Sequence, residues 1–448
     1  MAFLALRSMK RGNFRHLASP NGACGPRHDE FRVAPRRIEG STPSGTTKKR
    51  IGYDMARVKV KYARFDDFDD QFASPYRIVS KSANKVVYAA KGKNGDIEKV
   101  VLKGAGFEFA KNGKLLDGTV KSVDLADHRG KILADLDGVN LVAKSLHLLL
   151  MKKNSTAFVQ ELYEGNDRIS VGKFESSVYT GAGNDVVRTT AHYVTMHDGP
   201  GSDTYIGRTI GNRDIDNRVS YGDTSKFKGF GAYHGVTVNL GTGRATDPWG
   251  STDKYRNIDE VVGTHKADKL TGSNREVSEK FFGLAGNDKI VGGRGLDQIN
   301  YRLDEDYGGK RGVTVNLAKG TAKDGFGDRD TVSGIERVVG TKFSDTIIGD
   351  NRDNHLEGWK GNDKLTGGGG SDIFRFRDGF GKDVITDFQD GRDLIRVEEV
   401  SNIFDGFKDV NIAQRGANTV ITFDGERGHS ITLRHFDADN ISADDFLF

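Results

Sequence analysis

Asp345, Asn354, Asp363 and Asp372 fall nine residues apart, and each is followed two residues later by an apolar side chain: Ile347, Leu356, Leu365 and Phe374. The clearest unit runs from Gly367 to Arg375, with four glycines before Ser371, Asp372, Ile373 and Phe374. Another runs from Gly292 to Asn300, and its Asp297 lies nine residues after Asp288. Further upstream Asp167, Asp185 and Asp203 are eighteen residues apart, two periods each. Scattered Asn-Asp-Gly surface turns would not keep such a register. A fixed period makes the chain a stack of small units rather than one mixed core. Composition agrees: 58 of 448 residues are Gly and only 36% are hydrophobic, against about 45–50% in ordinary globular chains. With 7 Pro the chain is no collagen. One cysteine, Cys24, excludes an internal disulfide framework and a Cys-based zinc cluster, and no apolar run approaches the length of a membrane-spanning helix.

The units match G-G-x-G-x-D-x-U-x, so the chain resembles the RTX (hemolysin-type) calcium-binding nonapeptide-repeat proteins exported by bacterial type I secretion. The resemblance covers residues 105–448 and implies an all-β-dominated fold, a parallel β-roll or β-solenoid loaded with several Ca2+ ions. Chemistry explains the spacing. Glycines let the turn take left-handed conformations and bring carbonyls close to an ion, aspartate supplies the hard oxygen calcium prefers, and x-U-x is a short strand with its middle side chain inward. Successive turns alternate between the two edges of the roll, so Asp345 should stack with Asp363, Asn354 with Asp372, and Asp167 with Asp185 and Asp203.

The metal-site residues implied are Gly165 and Asp167; Gly181, Gly183 and Asp185; Gly199, Gly201 and Asp203; Asp268; Gly286 and Asp288; and Gly293, Gly295 and Asp297. Downstream they are Asp345, Asn354, Gly361, Asp363, Gly368, Gly370 and Asp372, then Asp383 and Asp387. Several units are imperfect. Trp359 and Leu284 replace the second glycine, Asn354 has no charge, Asp268 and Asp345 follow glycine-poor turns, and Asp268 to Asp288 is 20 residues. These are expected to be weak or empty sites.

A longer repeat has an offset of 77: Gly235-Val236-Thr237-Val238-Asn239-Leu240 recurs as Gly312-Val313-Thr314-Val315-Asn316-Leu317. The same offset maps Asp247 to Asp324, Asp253 to Asp330 and Asp268 to Asp345. Each copy reads as an alternating strand, a polar loop, a second short strand and entry into roll turns, continuing a parallel solenoid. Asp247, Asp253, Asp324 and Asp330 suit either further calcium sites or plain loops.

The organisation follows. Residues 1–54 carry 11 Lys/Arg against 4 acids and read as a basic, disordered extension, or as a gene start set too far upstream with Met55 the true initiator. A nucleic-acid arm and a targeting peptide fit less well, because Ala2 to Leu6 is too short for a secretory apolar segment. Residues 55–160 form a small α+β N-terminal cap: strands at Lys85–Ala90, Lys99–Leu102 and Gly118–Val123, then helices over Leu141–Met151 and Ala157–Tyr163. The first roll repeats occupy 161–210, a solenoid unit with roll repeats 211–300, its duplicate 301–376, and a C-terminal β cap 377–448. The cap opens with Asp383-Val384-Ile385-Thr386-Asp387-Phe388, which is similar to the block that follows the last RTX nonapeptides. The ending Asp444-Asp445-Phe446-Leu447-Phe448 resembles an uncleaved type I secretion signal, with an ordinary buried C-terminal strand as the alternative.

Enzyme motifs are missing: there is no H-E-x-x-H, no G-x-S-x-G, and no glutamate between His192 and His197. The expectation is a secreted, extracellular, monomeric calcium-binding protein without catalytic residues, adhesin-like or an interaction partner at a surface. Its expected partners are the type I secretion machinery and an extracellular target, with no nucleic acid. A membrane-active toxin or bacteriocin, using Leu146 to Met151 against lipid, and an enzyme with an unrecognised site in 55–160 are the alternatives.

Overall fold

The structure is a computed structural model that describes residues 56–60, 76–90, 98–126, 129, 132–142, 165–171, 176–190, 193–208, 216–222, 234–398, 406–424 and 428–448. The basic segment 1–54, Met55 and the helical expectation over 143–163 lie outside the described residues.

Each nonapeptide gives a three-residue strand whose middle side chain is buried. Leu270, Ile290 and Leu365 are each fully buried between more exposed neighbours. Strands two units apart pair in parallel, Ile347 beside Leu365 in one sheet and Leu356 beside Phe374 in the other. Two facing sheets result, of 23 and 11 strands among the described residues. The roll core is a file of inward apolar residues, one per three-residue strand and two in longer strands such as Ile373–Arg377 and Leu394–Glu398, with aromatics such as Tyr205, Phe281 and Phe374 among them. The fold is all-β, and the described residues hold no α-helix.

The 77-residue duplicates correct the parallel expectation. In each copy three strands form an antiparallel meander: Thr237–Asn239 pairs with Arg244–Thr246, which pairs with Thr252–Arg256. The second copy repeats this with Thr314–Asn316, Thr321–Lys323 and Arg329–Ser333. The chain jumps ahead and doubles back. Thr252–Arg256 lies parallel on Thr204–Ile206, and Thr237–Asn239 parallel on Lys269–Thr271. The reversals are short enough only for antiparallel pairing. One is tied by the Asn239 carboxamide accepting from Thr242 N at 2.8 Å, the other by Asp247 Oδ1 accepting from Ser251 N at 2.6 Å. The facing sheet continues uninterrupted through Asp216–Ser220, Glu260–Val262 and Lys280–Phe282.

The N-terminal cap is a meander of five antiparallel strands, Arg77–Ser82, Lys85–Ala89, Lys99–Phe109, Leu115–Ala126 and Ile132–Val142. Leu141 and Val142, expected to open a helix, instead end the last strand beside Val120 and Thr119. Pairing with a long neighbour overrides the local helical spacing. Ala56–Val60 joins cap to roll, antiparallel to Ile132–Val142 and parallel to Asp167–Val171.

At the other end Val410–Arg415, Asn418–Phe423 and Ser430–Leu433 close one sheet by antiparallel pairing, and Phe446–Leu447 adds a parallel strand to Leu394–Glu398 in the other. Such caps cover edges that an open roll would expose. Within the last residues Asp445 is buried in a capping box with Ser442, Phe446 is buried, and Asp444, Leu447 and Phe448 are exposed.

Candidate metal centres

The expected stacking is present. Asp167 N donates to Asp185 Oδ1 at 2.6 Å and Asp185 N to Asp203 Oδ1 at 2.7 Å. Asp345 N donates to Asp363 Oδ1 and Asn354 N to Asp372 Oδ1, both at 2.8 Å. The ladder runs on where no nonapeptide precedes: Asp203 N to Asp253 Oδ1 and Asp288 N to Asp330 Oδ1, both at 3.0 Å. The meanders thus supply Asp253 and Asp330 as extra rungs, while Asp247 and Asp324 brace tight turns with one carboxylate oxygen. Asp383 and Asp387 also join, accepting from Asp363 N and from Gly367 N.

Two side chains explain why glycine opens and closes each turn. A Cβ on Gly358 would sit 2.1 Å from Asp363 Oδ2, so the first glycine makes room for the carboxylate. Gly201 has φ +154°, and a Cβ there would meet the Gly183 carbonyl oxygen at 1.7 Å. The second position is laxer. Leu284 and Trp359 both take positive φ there. Leu284 is buried beside Val262 and Phe282, and Trp359 lies under the Arg302 guanidinium at 3.6 Å.

The 20-residue gap between Asp268 and Asp288 does not break the ladder, since Asp268 N donates to Asp288 Oδ1 at 2.8 Å. The extra two residues bulge in one turn, where Glu279 does the work of the aspartate. Its carboxylate takes Ser273 N at 2.6 Å and pairs with Arg275 at 2.8 Å, while Glu279 N donates to Asp297. Glu279 and Asp393, which accepts from Asp372 N, are site residues the nonapeptide pattern does not reveal. Spacing does: Glu279 lies nine residues before Asp288. Replacing Glu279 with Ala leaves Ser273 N and the half-exposed Arg275 without their partner. The expected loss is about 2–3 kcal/mol in denaturant unfolding.

The carboxylates are held where a charge is costly. Burial, then the nearby charges of Asp268 and Asp330, pushes Asp288 up to about 10. Burial, then Asp383, pushes Asp363 up to about 9. Asp268, Asp330 and Asp372 are pushed up to about 7, in each case chiefly by burial. In Asp185, Asp198, Asp288, Asp304, Asp324, Asp363 and Asp372 one carboxylate oxygen is buried without a hydrogen-bond partner. Buried acceptors of this kind need a ligand or a proton. Stacked hard oxygens with glycine carbonyls close by are a donor set that fits a calcium ion. Asn354 fits poorly: its Oδ1 accepts from Asp350 N, and its Nδ2, a donor, lies buried where the aspartates turn a bare oxygen.

The densest cluster lies at the first meander. One carboxylate oxygen each from Asp198, Asp203 and Asp253 lie within 4.8 Å of one another. The Tyr205 hydroxyl is 2.6 Å from Asp198 Oδ1 and 3.1 Å from Asp203 Oδ2, and the Tyr221 hydroxyl donates to Asp253 Oδ2 at 3.1 Å. Burial, then Asp253 and Asp203, drives Asp198 far upward. Asp198 stands where most later turns have their first glycine.

The model of the RTX calcium-binding nonapeptide repeat matches in 4 copies, over residues 163–191, 278–307 and 339–374. The chain carries RTX calcium-binding nonapeptide repeats. The matched residues include the stacked Asp167, Asp185, Asp288, Asp297, Asp345, Asn354, Asp363 and Asp372. No curated protein shows significant sequence similarity to the chain. Among solved structures it is similar to the extracellular lipase LipA of Serratia marcescens, with 16% identity, TM-score 0.21, and 63% of this chain covered. It is also similar to the AlgE6R3 subunit of the Azotobacter vinelandii mannuronan C5-epimerase, with 22% identity, TM-score 0.18, and 38% of this chain and 78% of that one covered. The match spans 38% of the length of the lipase.

Proposed function

We propose that the protein leaves a bacterial cell through type I secretion machinery as an unfolded chain, folds on meeting extracellular calcium, and then acts as a monomeric surface or interaction protein, adhesin-like in character. The observation that carries this reading is the set of seven buried carboxylates among the described residues, from Asp185 to Asp372, each with an oxygen that has no hydrogen-bond partner. Calcium bound there would neutralise mutual repulsion and compensate the cost of burial. Because the stacked site exists only in the roll, binding is folding energy: one site at 100 times its dissociation constant contributes about 2.7 kcal/mol. Asp185, Asp198, Asp203, Asp253, Asp288, Asp330, Asp363 and Asp383 would hold ions along one edge, and Glu279, Asp297, Asp372 and Asp393 along the other.

Export is supported by the RTX calcium-binding repeats, and the acidic and apolar segment Asp444 to Phe448, paired on the last rung, is the proposed signal. The N- and C-terminal meanders cap the two ends of the larger sheet and suit a monomer.

Calorimetry of the full chain tests the binding. Asp363→Asn and Asp198→Asn are each expected to weaken calcium binding at their own rung at least tenfold, with the other rungs unchanged. Wild-type affinity in both would exclude these residues as ligands. Co-expression with a type I exporter tests the route: deleting Ser442–Phe448 is expected to abolish accumulation in the medium, and unchanged accumulation would exclude export through this signal.

A further inference from the structure

The outer face of the smaller sheet carries a cleft unrelated to the carboxylate ladders. Along its strands Ile299, Val338, Leu356, Phe374 with Phe376, and Ile395 with Val397 point into the core, so the residues that alternate with them point outward. Those neighbours line a 230 Å³ cleft through Gln298, Arg337, His355, Glu357, Arg375 and Arg396. The five strands place four arginines, Arg337, Arg375, Arg377 and Arg396, against two carboxylates, Glu357 and Glu398. Glu398 pairs with Arg375 and with Arg396 Nε at 2.6 Å, and Glu357 lies 3.5 Å from both Arg375 and Arg377. The face therefore keeps a formal excess of positive charge, in a protein whose other buried sites are acidic.

We propose that this cleft binds an anionic polysaccharide, its arginines taking carboxylate or sulfate groups and Gln298, His355 and Glu357 taking hydroxyls. Guanidinium forks suit planar bidentate recognition of such anions. Burial, then the fields of Arg337, Arg396 and Arg375, lowers His355 to about 4, so at neutral pH its ring is uncharged and serves as a hydroxyl partner. Five strands at about 4.8 Å spacing make a track roughly 19 Å long, which suits a chain-like anion better than a single small one. A single-stranded nucleic acid is the poorer fit, because stacking bases need exposed aromatic faces. The nearby Trp359 ring is covered by Arg302 at 3.6 Å.

The test is calorimetry on the full chain in saturating calcium, with hyaluronate and chondroitin sulfate as probes, glucuronate as the single sugar acid, dextran as the neutral polymer and oligothymidylate as the nucleic acid. Binding to at least one of the two anionic polymers is expected, tighter than to glucuronate or oligothymidylate and absent with dextran. The double variant Arg337→Gln/Arg396→Gln should weaken it at least tenfold while circular dichroism and calcium binding stay unchanged. Gln298→Glu, which adds a negative charge and removes no arginine, should do the same if the double variant folds poorly. Failure of both polymers to bind overturns the proposal. So does undiminished binding in a folded variant, which would mean calcium bridging elsewhere, equal binding of glucuronate, or tighter binding of oligothymidylate. None of these outcomes bears on whether the roll binds calcium.

Discussion

In chelator at pH 7.5 the chain is expected to lose most of its β-sheet signal, and to regain part of it as the pH falls to about 5. The sign follows from the carboxyls. In the metal-free roll Asp288, Asp363, Asp304 and Asp383 are pushed up to about 10, 9, 8 and 8, each first by burial. An unfolded aspartate titrates near 3.9. Between those values the folded chain holds more protons than the unfolded one, so stability falls as pH rises. The penalty is absent below about pH 4, grows through the interval, and is complete above the folded values. Calcium should remove the dependence, because an ion then replaces the proton. Circular dichroism at 218 nm in chelator from pH 8 to pH 4.5 measures it. A metal-free chain that is fully folded at pH 8, or that loses structure on mild acidification, would contradict the assignment of these carboxylates as buried and mutually repelling.

The second large effect concerns backbone contact between turns. Gly201→Ala is expected to destabilise the roll by about 3 kcal/mol or more, combining strain at its positive φ with overpacking. Its Cβ would stand 1.7 Å from the Gly183 carbonyl oxygen, which belongs to the turn below and is fixed by the Asp185–Asp203 rung. Gly250→Ala is the matched control. That glycine also has positive φ, at +95°, but a Cβ there meets nothing within 4 Å. Its cost should stop at roughly 1–2 kcal/mol, the strain alone. The calcium concentration at half-folding should rise far more for Gly201→Ala than for Gly250→Ala. Equal shifts would mean that the turns do not stack at this distance.

Much of this was legible in the sequence, for a physical reason. A roll turn is local: within nine residues it holds its own glycines, ligand and core residue, so the pattern from Gly367 to Phe374 carries the turn, the strand and the inward Phe374 together. Stacking partners follow from the period alone, as with Asp345 and Asp363. What escaped depends on contacts that no local pattern records. The reversal of Arg244–Thr246 is set by pairing on both sides, so its sequence reads as one more short strand. Leu141 and Val142 sit at helical spacing, yet a long neighbouring strand claims them. Glu279 is hidden because a two-residue bulge moves it out of the motif while its carboxylate returns to the same backbone amides. Asp198 occupies a position where most later turns have glycine, and its carboxylate is held there by the Tyr205 hydroxyl at 2.6 Å. The arginine cleft spans strands from residue 298 to residue 398, so no window of the sequence contains it.

The central claim is that calcium and the roll form together. A far-ultraviolet circular dichroism titration of the full chain with calcium, set against magnesium, measures it most directly. Magnesium is smaller, keeps its waters and demands a rigid octahedron, so stacked carboxylates and carbonyls should not order around it. The account predicts a cooperative gain of β structure with calcium and little change with magnesium. A chain already folded in chelator at neutral pH, or one that responds equally to both ions, would contradict it.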